Sequence, residues 1–164
     1  MNFKIERARI EHLERIVEIY NQAIIDGFST ADMETYKPEE KLQWFHAHDD
    51  QHPIFVVLIN NKVIGWITLS SYRPGRKALQ SVREVSGYLD SEYRGMGIGT
   101  KLMQYVIDLA PSLGVECLLG ILLSKNVKSI ALVEKTGFEK WGTLPRIADF
   151  NGVKCDHLYY GRKV

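Results

Sequence analysis

The segment that most constrains this chain is a glycine-rich run that joins a β-rich stretch to a helical one. Residues 94–100 are Arg-Gly-Met-Gly-Ile-Gly-Thr, and they lie between the strand-like residues 85–90 and an apolar pattern of helical spacing. Glycines at alternate positions let the backbone turn without Cβ clashes, so several N–H groups can point into one concavity at the positive end of the helix. The sequence therefore predicts a strand, an anion-binding turn and a helix, in that order.

The spacing of these glycines excludes two common phosphate-binding motifs. A dinucleotide-binding fold uses G-x-G-x-x-G in its first βα unit, and a nucleoside triphosphate loop uses G-x-x-x-x-G-K-[ST]. Neither pattern fits residues 94–100, which instead satisfy [QR]-x-x-G-x-[GA] through Arg94, Gly97 and Gly99. We expect this turn to bind a pyrophosphate.

The composition fits one globular domain over residues 1–164 and argues against a polyanionic partner. The chain is 45% hydrophobic, and its 21 Lys and Arg nearly balance its 20 Asp and Glu, for a net charge of +1. No overall field therefore recruits nucleic acid or an anionic membrane. Because the sequence has neither a signal-peptide core nor an apolar run of the ~20 residues that cross a bilayer, we expect a cytoplasmic protein. Without C-x-x-C spacing, the two cysteines are predicted to be free buried thiols, Cys117 and Cys155.

Periodicity and turn signals predict a single α/β domain, a mixed twisted sheet of about six to seven strands flanked by about four helices. Asn60-Asn61 and Asn151-Gly152 predict hairpin turns, and Gly137 is expected to end a helix. Gly87, inside a long strand, predicts a bulge or a close backbone approach. The predicted elements are strand 3–9, helices 13–24 and 38–48, strands 54–59, 62–72 and 81–89, a helix from 98 to between 111 and 114, strand 117–123, helix 126–136, and strands 138–144 and 154–160.

Several dispersed motifs resemble the GNAT-type N-acetyltransferases over essentially the whole chain. The glycine loop resembles their acetyl-CoA pyrophosphate loop, and residues 132–138 resemble their L-[YF]-E-K-x-G-F helix end. Within that superfamily, four stretches resemble the phosphinothricin acetyltransferase group, which acetylates the α-amino group of phosphinothricin, methionine sulfoximine or methionine sulfone; they are residues 19–22, 44–45, 84–88 and 141–145. The resemblance implies a GNAT fold, acetyl-CoA as the acetyl donor, direct transfer in a ternary complex, and a homodimer.

The resemblance also implies which residues hold the donor. Backbone N–H groups of the segment Gly87, Tyr88 and Leu89 are expected to face the thioester carbonyl, where its oxygen becomes negative. A helix start at Asn126 and Ser129 resembles a second cofactor contact of the family. The pyrophosphate is expected on the loop and the first helical turn, formed by Arg94, Gly95, Met96, Gly97, Ile98, Gly99 and Thr100.

Glu84 is the candidate catalytic residue, and it is also expected to contact the acceptor. An ammonium group is mostly protonated at neutral pH, whereas acetyl transfer needs the neutral amine, so a base must lie within reach. The resembling enzymes carry a glutamate facing the acceptor amine at this position. Because a carboxylate with a pKa of ~4.3 is a weak base, it is expected to act through water or to orient the ammonium. The alternative is a structural ion pair with Arg73, Arg76 or Arg83.

The acceptor pocket is expected in loops over the end of the sheet. Phe28 and Thr30 in the first loop, with Tyr72 and Arg73 after the third strand, match pocket positions in the resembling group. Arg73 can bind a carboxylate or phosphinate through two parallel hydrogen bonds, which suits an anionic amino acid better than a polyamine. Two alternatives stay open: Arg73 belongs to a solvated loop, and Phe28 packs in the core.

The chain departs from the resembling enzymes at two positions. Many of them place a tyrosine, the expected general acid, where this chain has Val133, so the leaving thiolate is expected to take its proton from water or another group. Cys155 precedes Asp156, where phosphinothricin-specific enzymes often have histidine. The acceptor therefore stays open between amino-acid analogues, protein N-termini and other amines. A CoA-sensing module without turnover is the non-enzymatic alternative.

Two other clusters predict no further function. His46, His48 and His52 follow one another closely, but the first two are separated by about 200° around a helix, so no metal site is expected. Three aromatic residues near the C-terminus resemble a base-stacking surface, yet the balanced charge provides no phosphate contacts. We expect these residues in the core or at a dimer interface: Trp141, Tyr159 and Tyr160.

Overall fold

A computed structural model describes residues 2–164, which form one seven-stranded sheet with helices on both faces. The strand order is β1-β2-β3-β4-β5-β7-β6, and every neighbouring pair is antiparallel except β4 and β5. The elements are β1 (Lys4–Arg7), α1 (Leu13–Asp26), α2 (Leu42–His46), β2 (Ile54–Ile59), β3 (Lys62–Ser71), β4 (Val82–Leu89), α3 (Ile98–Leu109), β5 (Cys117–Leu123), α4 (Val127–Lys135), β6 (Glu139–Phe150) and β7 (Val153–Lys163). The predicted fold class and element order are confirmed.

Local turn chemistry explains several of these boundaries. Asn60 and Asn61 both have positive φ angles, as do Asn151 and Gly152, so each pair forms the tight turn that joins its two strands. Gly137 has a φ of 83° and its N–H donates to the Glu134 carbonyl, which ends α4 as predicted. Asn and Gly suit these positions because they adopt the left-handed backbone conformation with little strain.

Two predicted boundaries are wrong. The helix predicted over 38–48 is a 3₁₀ turn at Pro38–Lys41 followed by the five-residue α2, in which Trp44 and Phe45 pack against the sheet. The strand predicted to end at 144 continues to Phe150 through Pro145, with irregular pairing between Leu144 and Ala148. β6 lies at the edge of the sheet, where a proline need not donate to a neighbouring strand.

The sheet separates two hydrophobic cores. Alternation along β4 places Glu84, Ser86 and Tyr88 on the face covered by α1 and α2, whereas Val85 packs in the core beneath α3. The larger core joins the sheet to α3 through Ile67, Leu69, Val85, Leu102, Val106 and Leu118, among others. The smaller core joins it to α1 through Ile16, Ile19, Ile54, Val56, Val63 and Trp66. The two faces of β4 therefore serve different surroundings.

The separation of β4 from β5 is the feature that positions a site. The two strands pair in parallel only from Val82↔Cys117 to Glu84↔Leu119, although β4 runs on to Leu89. Beyond Glu84 their facing edges diverge and border a cleft. The bulge predicted at Gly87 is wrong, because β4 pairs with β3 without a register shift there. The close approach is confirmed: a Cβ on Gly87 would lie 3.1 Å from the Trp66 carbonyl oxygen.

Candidate active site

The glycine loop leads from β4 into α3 and presents backbone donors. Gly95 and Gly97 have φ angles of 78° and 79°, in the left-handed region that glycine adopts without strain. The N–H of Lys101 donates to the Gly97 carbonyl at 3.3 Å, which is the first bond of the helix. The N–H groups of residues 98–100 therefore have no partner within α3 and point out of its positive end. This arrangement fits a pyrophosphate.

Arg94 anchors the loop to two other elements. Its Nε donates to the Leu89 carbonyl at 2.9 Å, and its guanidinium forms an ion pair with Asp26 at the end of α1. Both contacts hold the loop in place before any ligand binds, which lowers the cost of ordering its amides. The side chain of Arg94 is thus occupied by contacts with Leu89 and Asp26. Its predicted contact with a pyrophosphate would therefore be made by its main chain. Met96 is 54% exposed at the loop tip.

Two amides of β4 face the cleft. The Asp90 N–H donates to the Ile64 carbonyl at 2.9 Å, so antiparallel alternation directs the backbone of Tyr88 toward β3. The N–H groups of Gly87 and Leu89 consequently point the other way, past the end of the β4–β5 pairing. The sequence-based expectation of three facing donors is corrected for Tyr88, whose amide is paired within the sheet. The role of Gly87 and Leu89 as donors for a developing oxyanion stays a prediction.

The start of α4 lies across the cleft from the glycine loop. Because β4 and β5 are parallel, the segments that follow them emerge at the same edge of the sheet. Asn126 caps α4, with its Oδ1 accepting the Ser129 N–H at 3.2 Å. The Asn126 side-chain oxygen is therefore engaged within the helix. The predicted cofactor contacts of Asn126 and Ser129 stay predictions, at a position that borders the cleft.

Glu84 stands at the last position where β4 pairs with β5, and it is half-buried on the α1 face. Within residues 2–164 no arginine, lysine or histidine forms an ion pair with it. Arg83 points to the opposite face and donates to main-chain carbonyls, so the predicted alternative of a structural ion pair is wrong. Burial raises the pKa of Glu84 above the ordinary glutamate value. The carboxylate is therefore a better base than an exposed one.

An aromatic cavity of about 130 Å³ lies on the same face of β4 as Glu84. The edge of the Tyr20 ring meets Tyr88 with the ring centroids 5.0 Å apart, and Trp44 meets Trp66 at 5.6 Å. Other lining residues are Ile16, Val17, Lys41 and Ser86. Since one water takes ~30 Å³ of liquid volume, the cavity suits a small organic group.

Hydrogen bonds from α1 shape the loop beside this cavity. Asn21 donates to the Tyr36 carbonyl at 2.8 Å and accepts the Tyr36 N–H at 2.9 Å. The Tyr20 hydroxyl lies 2.8 Å from the Thr30 hydroxyl and donates to Asp32. Burial of the phenol is the main reason that the pKa of Tyr20 is raised. Thr30 thus contacts the cavity wall through Tyr20, and its predicted contact with an acceptor stays a prediction.

Comparison with known proteins identifies the family. The model of the acetyltransferase (GNAT) family matches residues 13–138. The chain belongs to this family. It is therefore an N-acetyltransferase, a member of the acyltransferase class.

Individual GNAT relatives match nearly the whole chain. Bacillus subtilis YwnH, provisionally named a phosphinothricin acetyltransferase, is 37% identical over 93% of both chains. A Pseudomonas aeruginosa L-methionine sulfoximine/L-methionine sulfone acetyltransferase is 28% identical over 90% of this chain and 86% of its own. The crystal structure of a Sinorhizobium meliloti phosphinothricin acetyltransferase with acetyl-CoA has a TM-score of 0.93 and 27% identity, and covers 100% of this chain and 89% of its own. The GNAT fold predicted from the sequence is confirmed.

Three other predicted pocket residues of this GNAT domain lie outside the aromatic cavity. Phe28 is half-buried and packs against Phe150 with ring centroids 4.8 Å apart, so it belongs to neither core, contrary to the core alternative. Tyr72 and Arg73 follow β3, and Arg73 is exposed with a φ of 54°. β3 ends opposite the start of β4, which places Arg73 near the Glu84 end of the site. Their contacts with an acceptor stay predictions.

Sequence reasoning placed none of the residues that line this cavity in the acceptor pocket. Trp66 lies in a continuous run of buried residues in β3, Ser86 alternates with buried residues in β4, and Lys41 follows the two glutamates after Pro38, so each fits an ordinary structural pattern. The sequence signal for this pocket was the stretch 19–22, because Tyr20 and Asn21 in it form hydrogen bonds to the loop beside the cavity. Tertiary contacts were needed to bring Lys41 beside β4.

The two departures from the family pattern have different structural contexts. Val133 is buried within α4, so this position offers no proton donor to a thiolate. Cys155 is also buried and free, as is Cys117, in agreement with the prediction of free thiols. Asp156 accepts the Arg146 N–H at 2.9 Å, which stabilises the β6–β7 hairpin. The cysteine thus faces the interior rather than the cavity.

The histidine and aromatic clusters also have structural roles. Nδ1 of His48 lies 2.8 Å from the Trp44 carbonyl, and His52 contacts Asp49. In the part of the chain from residue 2 onward, no three metal-binding side chains gather. Tyr160 is in the core as expected, whereas Trp141 is 48% exposed on β6.

Residues 2–164 contain no helix that is long and apolar enough to cross a membrane.

Proposed function

We propose that this GNAT enzyme transfers acetyl from acetyl-CoA to the α-amino group of a small amino-acid analogue of the phosphinothricin, methionine sulfoximine or methionine sulfone type. The observation that supports this most is the position of Glu84. It is half-buried and without an ion-pair partner among residues 2–164, on the face of β4 that also lines the aromatic cavity. The names of the YwnH and Pseudomonas relatives support the same class of acceptor.

The residues present fit acetyl-CoA. The left-handed Gly95 and Gly97 and the amides of residues 98–100 would hold its pyrophosphate, and no heavy atom lies within 4 Å of a Cβ added at either glycine, so the concavity is open. The cleft between β4 and β5 would take the pantetheine arm, with the cofactor supplying an acetyl thioester. Sinorhizobium meliloti phosphinothricin acetyltransferase, which is similar over the whole chain, was solved with this cofactor.

The protein groups divide the chemistry between them. Glu84 would accept the amine proton, directly or through a water, and its raised pKa brings its basicity closer to neutral pH. The N–H groups of Gly87 and Leu89 would donate to the carbonyl oxygen as negative charge develops on it. The leaving thiolate is stable at moderate pH, so it can leave without an acid beside it and take its proton from water afterwards. A valine at position 133, where other enzymes have a tyrosine acid, is therefore compatible with turnover. Direct attack in a ternary complex needs no covalent enzyme intermediate.

The size of the cavity favours a small acceptor over a protein N-terminus. Its volume is about 130 Å³, and Phe28, in the loop after α1, packs against Phe150 next to the turn of the β6–β7 hairpin. Arg73, near Glu84, would bind the α-carboxylate of an amino acid by two parallel hydrogen bonds. A polyamine would bring a second positive charge to a site that already holds Arg73 and Lys41.

The test is release of free CoA from acetyl-CoA in the presence of different acceptors. The panel contains methionine sulfone, methionine sulfoximine, phosphinothricin, polyamines and short peptides. We expect the highest kcat/KM for the three amino-acid analogues. A preference for peptides or polyamines would reject the proposed acceptor while leaving acetyl transfer intact, and CoA binding without any turnover would indicate a sensing module.

We also propose that the enzyme is a cytoplasmic homodimer. The edge strand β6 exposes apolar side chains that a second copy could cover, and the two free thiols suit a reducing compartment. These exposed residues include Trp141, Leu144 and Ile147. Light scattering after gel filtration tests the dimer, and a mass of 18.8 kDa would reject it.

A further inference from the structure

The aromatic cavity contains polar groups that the proposed chemistry does not use. The Trp66 indole N–H donates to the Ile16 carbonyl at 3.0 Å, and the Tyr20 hydroxyl donates to Asp32, so both are engaged by the protein. Lys41, Ser86 and Tyr88 add an ammonium and two hydroxyl groups to the wall. Burial raises the pKa of Tyr88 to about 12. The cavity is thus aromatic with hydrogen-bond donors.

The Lys41 ammonium lies over two aromatic rings at this wall. Its Nζ lies 3.7 Å from the centre of the Tyr36 ring and 5.3 Å from that of Tyr20, so cation–π attraction holds the ammonium there. No carboxylate among residues 2–164 lies within ion-pair distance of it. Asp32, on the neighbouring loop, accepts from Tyr20 instead. A partly dehydrated ammonium without a counter-ion attracts an anionic or strongly dipolar oxygen.

The position of these donors relative to Glu84 matches the length of a short side chain. Glu84, Ser86 and Tyr88 follow one another on one face of β4, and successive same-face residues are ~6.6 Å apart along a strand. An α-amine held at Glu84 therefore lies about one amino-acid side chain from a group held between Ser86 and Lys41. Arg73, beyond the end of β3, is on the opposite side of Glu84 along this line.

We infer that Lys41, with Ser86 and Tyr88, binds an oxygen-bearing group at the tip of the acceptor side chain, such as a sulfone, a sulfoximine or a phosphinate. This inference rests on the proposed function and deepens it, because it assigns the specificity for the tip to Lys41. The enzyme then selects methionine sulfone over methionine, which has the same α-amine and α-carboxylate but a bare thioether. Cationic tips such as that of lysine are excluded by like charge.

The experiment compares kcat/KM for methionine sulfone and methionine in four proteins. They are the wild type, Lys41→Met, Lys41→Arg and the control Lys37→Met, which removes an exposed positive charge four positions earlier in the chain. We expect Lys41→Met to lower the sulfone-to-methionine ratio by roughly tenfold, because a charged hydrogen bond is lost. Lys41→Arg should restore part of the ratio, and Lys37→Met should keep the wild-type value.

The outcomes separate this inference from the proposed function. If the wild type acetylates neither amino acid, the proposed acceptor class fails. If it acetylates both and Lys41→Met leaves the ratio unchanged, or Lys37→Met lowers it equally, the role of Lys41 is overturned. Unchanged CoA affinity of Lys41→Met by calorimetry shows that the variant is folded. Quenching of Trp44 and Trp66 fluorescence by methionine sulfone then measures binding independently of turnover, and equal affinity in wild type and Lys41→Met would also overturn the inference.

Discussion

The two sides of β4 differ in the kind of group that they present to a ligand: main-chain groups on one side and side chains on the other. The proposed cofactor side presents main-chain groups, namely the amides of Gly87 and Leu89 and the free N–H groups at the start of α3. The acceptor side uses side chains from α1, the 3₁₀ turn after Pro38, α2, β3 and β4, which meet around the aromatic cavity. The donor side must hold acetyl-CoA, whereas the acceptors named for the relatives differ.

This difference shows how one fold can keep one chemistry and vary its substrate. Backbone donors depend on φ, ψ and strand divergence, so they persist as long as the glycines and the β4–β5 geometry do. Side-chain donors can be exchanged one at a time without moving the backbone. We expect substitutions on the cofactor side to change the affinity for CoA, and substitutions on the acceptor side to change which amine is acetylated. Substitution of Glu84 should change the rate of turnover.

The largest expected effect comes from Glu84→Gln. The amide keeps the shape but cannot accept the amine proton, so kcat should fall by roughly 100-fold while CoA affinity stays within about twofold. Stopped-flow or thiol-release kinetics measure the first quantity, and calorimetry measures the second. In the wild type, the acid limb of kcat/KM should lie above the ordinary glutamate pKa, because burial raises the pKa of Glu84. Wild-type turnover across the pH range would leave Glu84 without a catalytic role.

The next effect concerns the cofactor side. Gly97→Asp places a carboxylate at the anion site in a left-handed position, and we expect CoA affinity to fall about 30-fold, or ~2 kcal/mol. Gly97→Asn is the matched control, because asparagine has nearly the same shape, tolerates this backbone and carries no charge. It should weaken CoA binding only a few-fold. Equal losses in both variants, measured by calorimetry on folded protein, would argue against an anion at this position.

A smaller effect is expected at Arg73. Its guanidinium is exposed, so solvent screens its attraction for a carboxylate, and Arg73→Ala should raise KM for methionine sulfone by about three- to tenfold. The matching amine without the α-carboxylate should be affected far less. Arg73→Lys should restore the preference only in part, since an ammonium lacks the planar fork. If both acceptors respond equally to Arg73→Ala, the residue is no part of the carboxylate site.

The smallest expected effect is on stability. The raised pKa of Glu84 means that the folded protein binds this proton more tightly than the unfolded chain does, so the charged carboxylate destabilises the fold above the ordinary value of 4.5. Glu84→Gln should therefore raise Tm at neutral pH. The gain should shrink as pH falls toward 4.5 and below, where the proton is bound in both states. A lower Tm for the variant at neutral pH would show that the charge is stabilised by contacts in the fold.

Sequence reasoning was most successful where local rules decide the structure. The Asn60-Asn61 and Asn151-Gly152 turns, the helix end at Gly137 and the strand–loop–helix order around residues 94–100 are all confirmed. The bulge at Gly87 is not, because a glycine within a strand is equally compatible with a bulge and with a close neighbour. The sequence around Gly87 predicts a bulge and a close approach equally well, and only the packing of Trp66 and Ile67 against Gly87 decides between the two.

The sequence by itself determined the family, the fold and the glycine turn before α3, because glycine positions and apolar periodicity constrain φ, ψ and element order locally. The tertiary structure alone decided that β4 and β5 diverge after Glu84, that Tyr88 pairs within the sheet, and that Lys41 lies over Tyr36 beside Ser86. These features join segments far apart in the chain. Their positions depend on how whole helices pack on the sheet, so no local residue pattern encodes them.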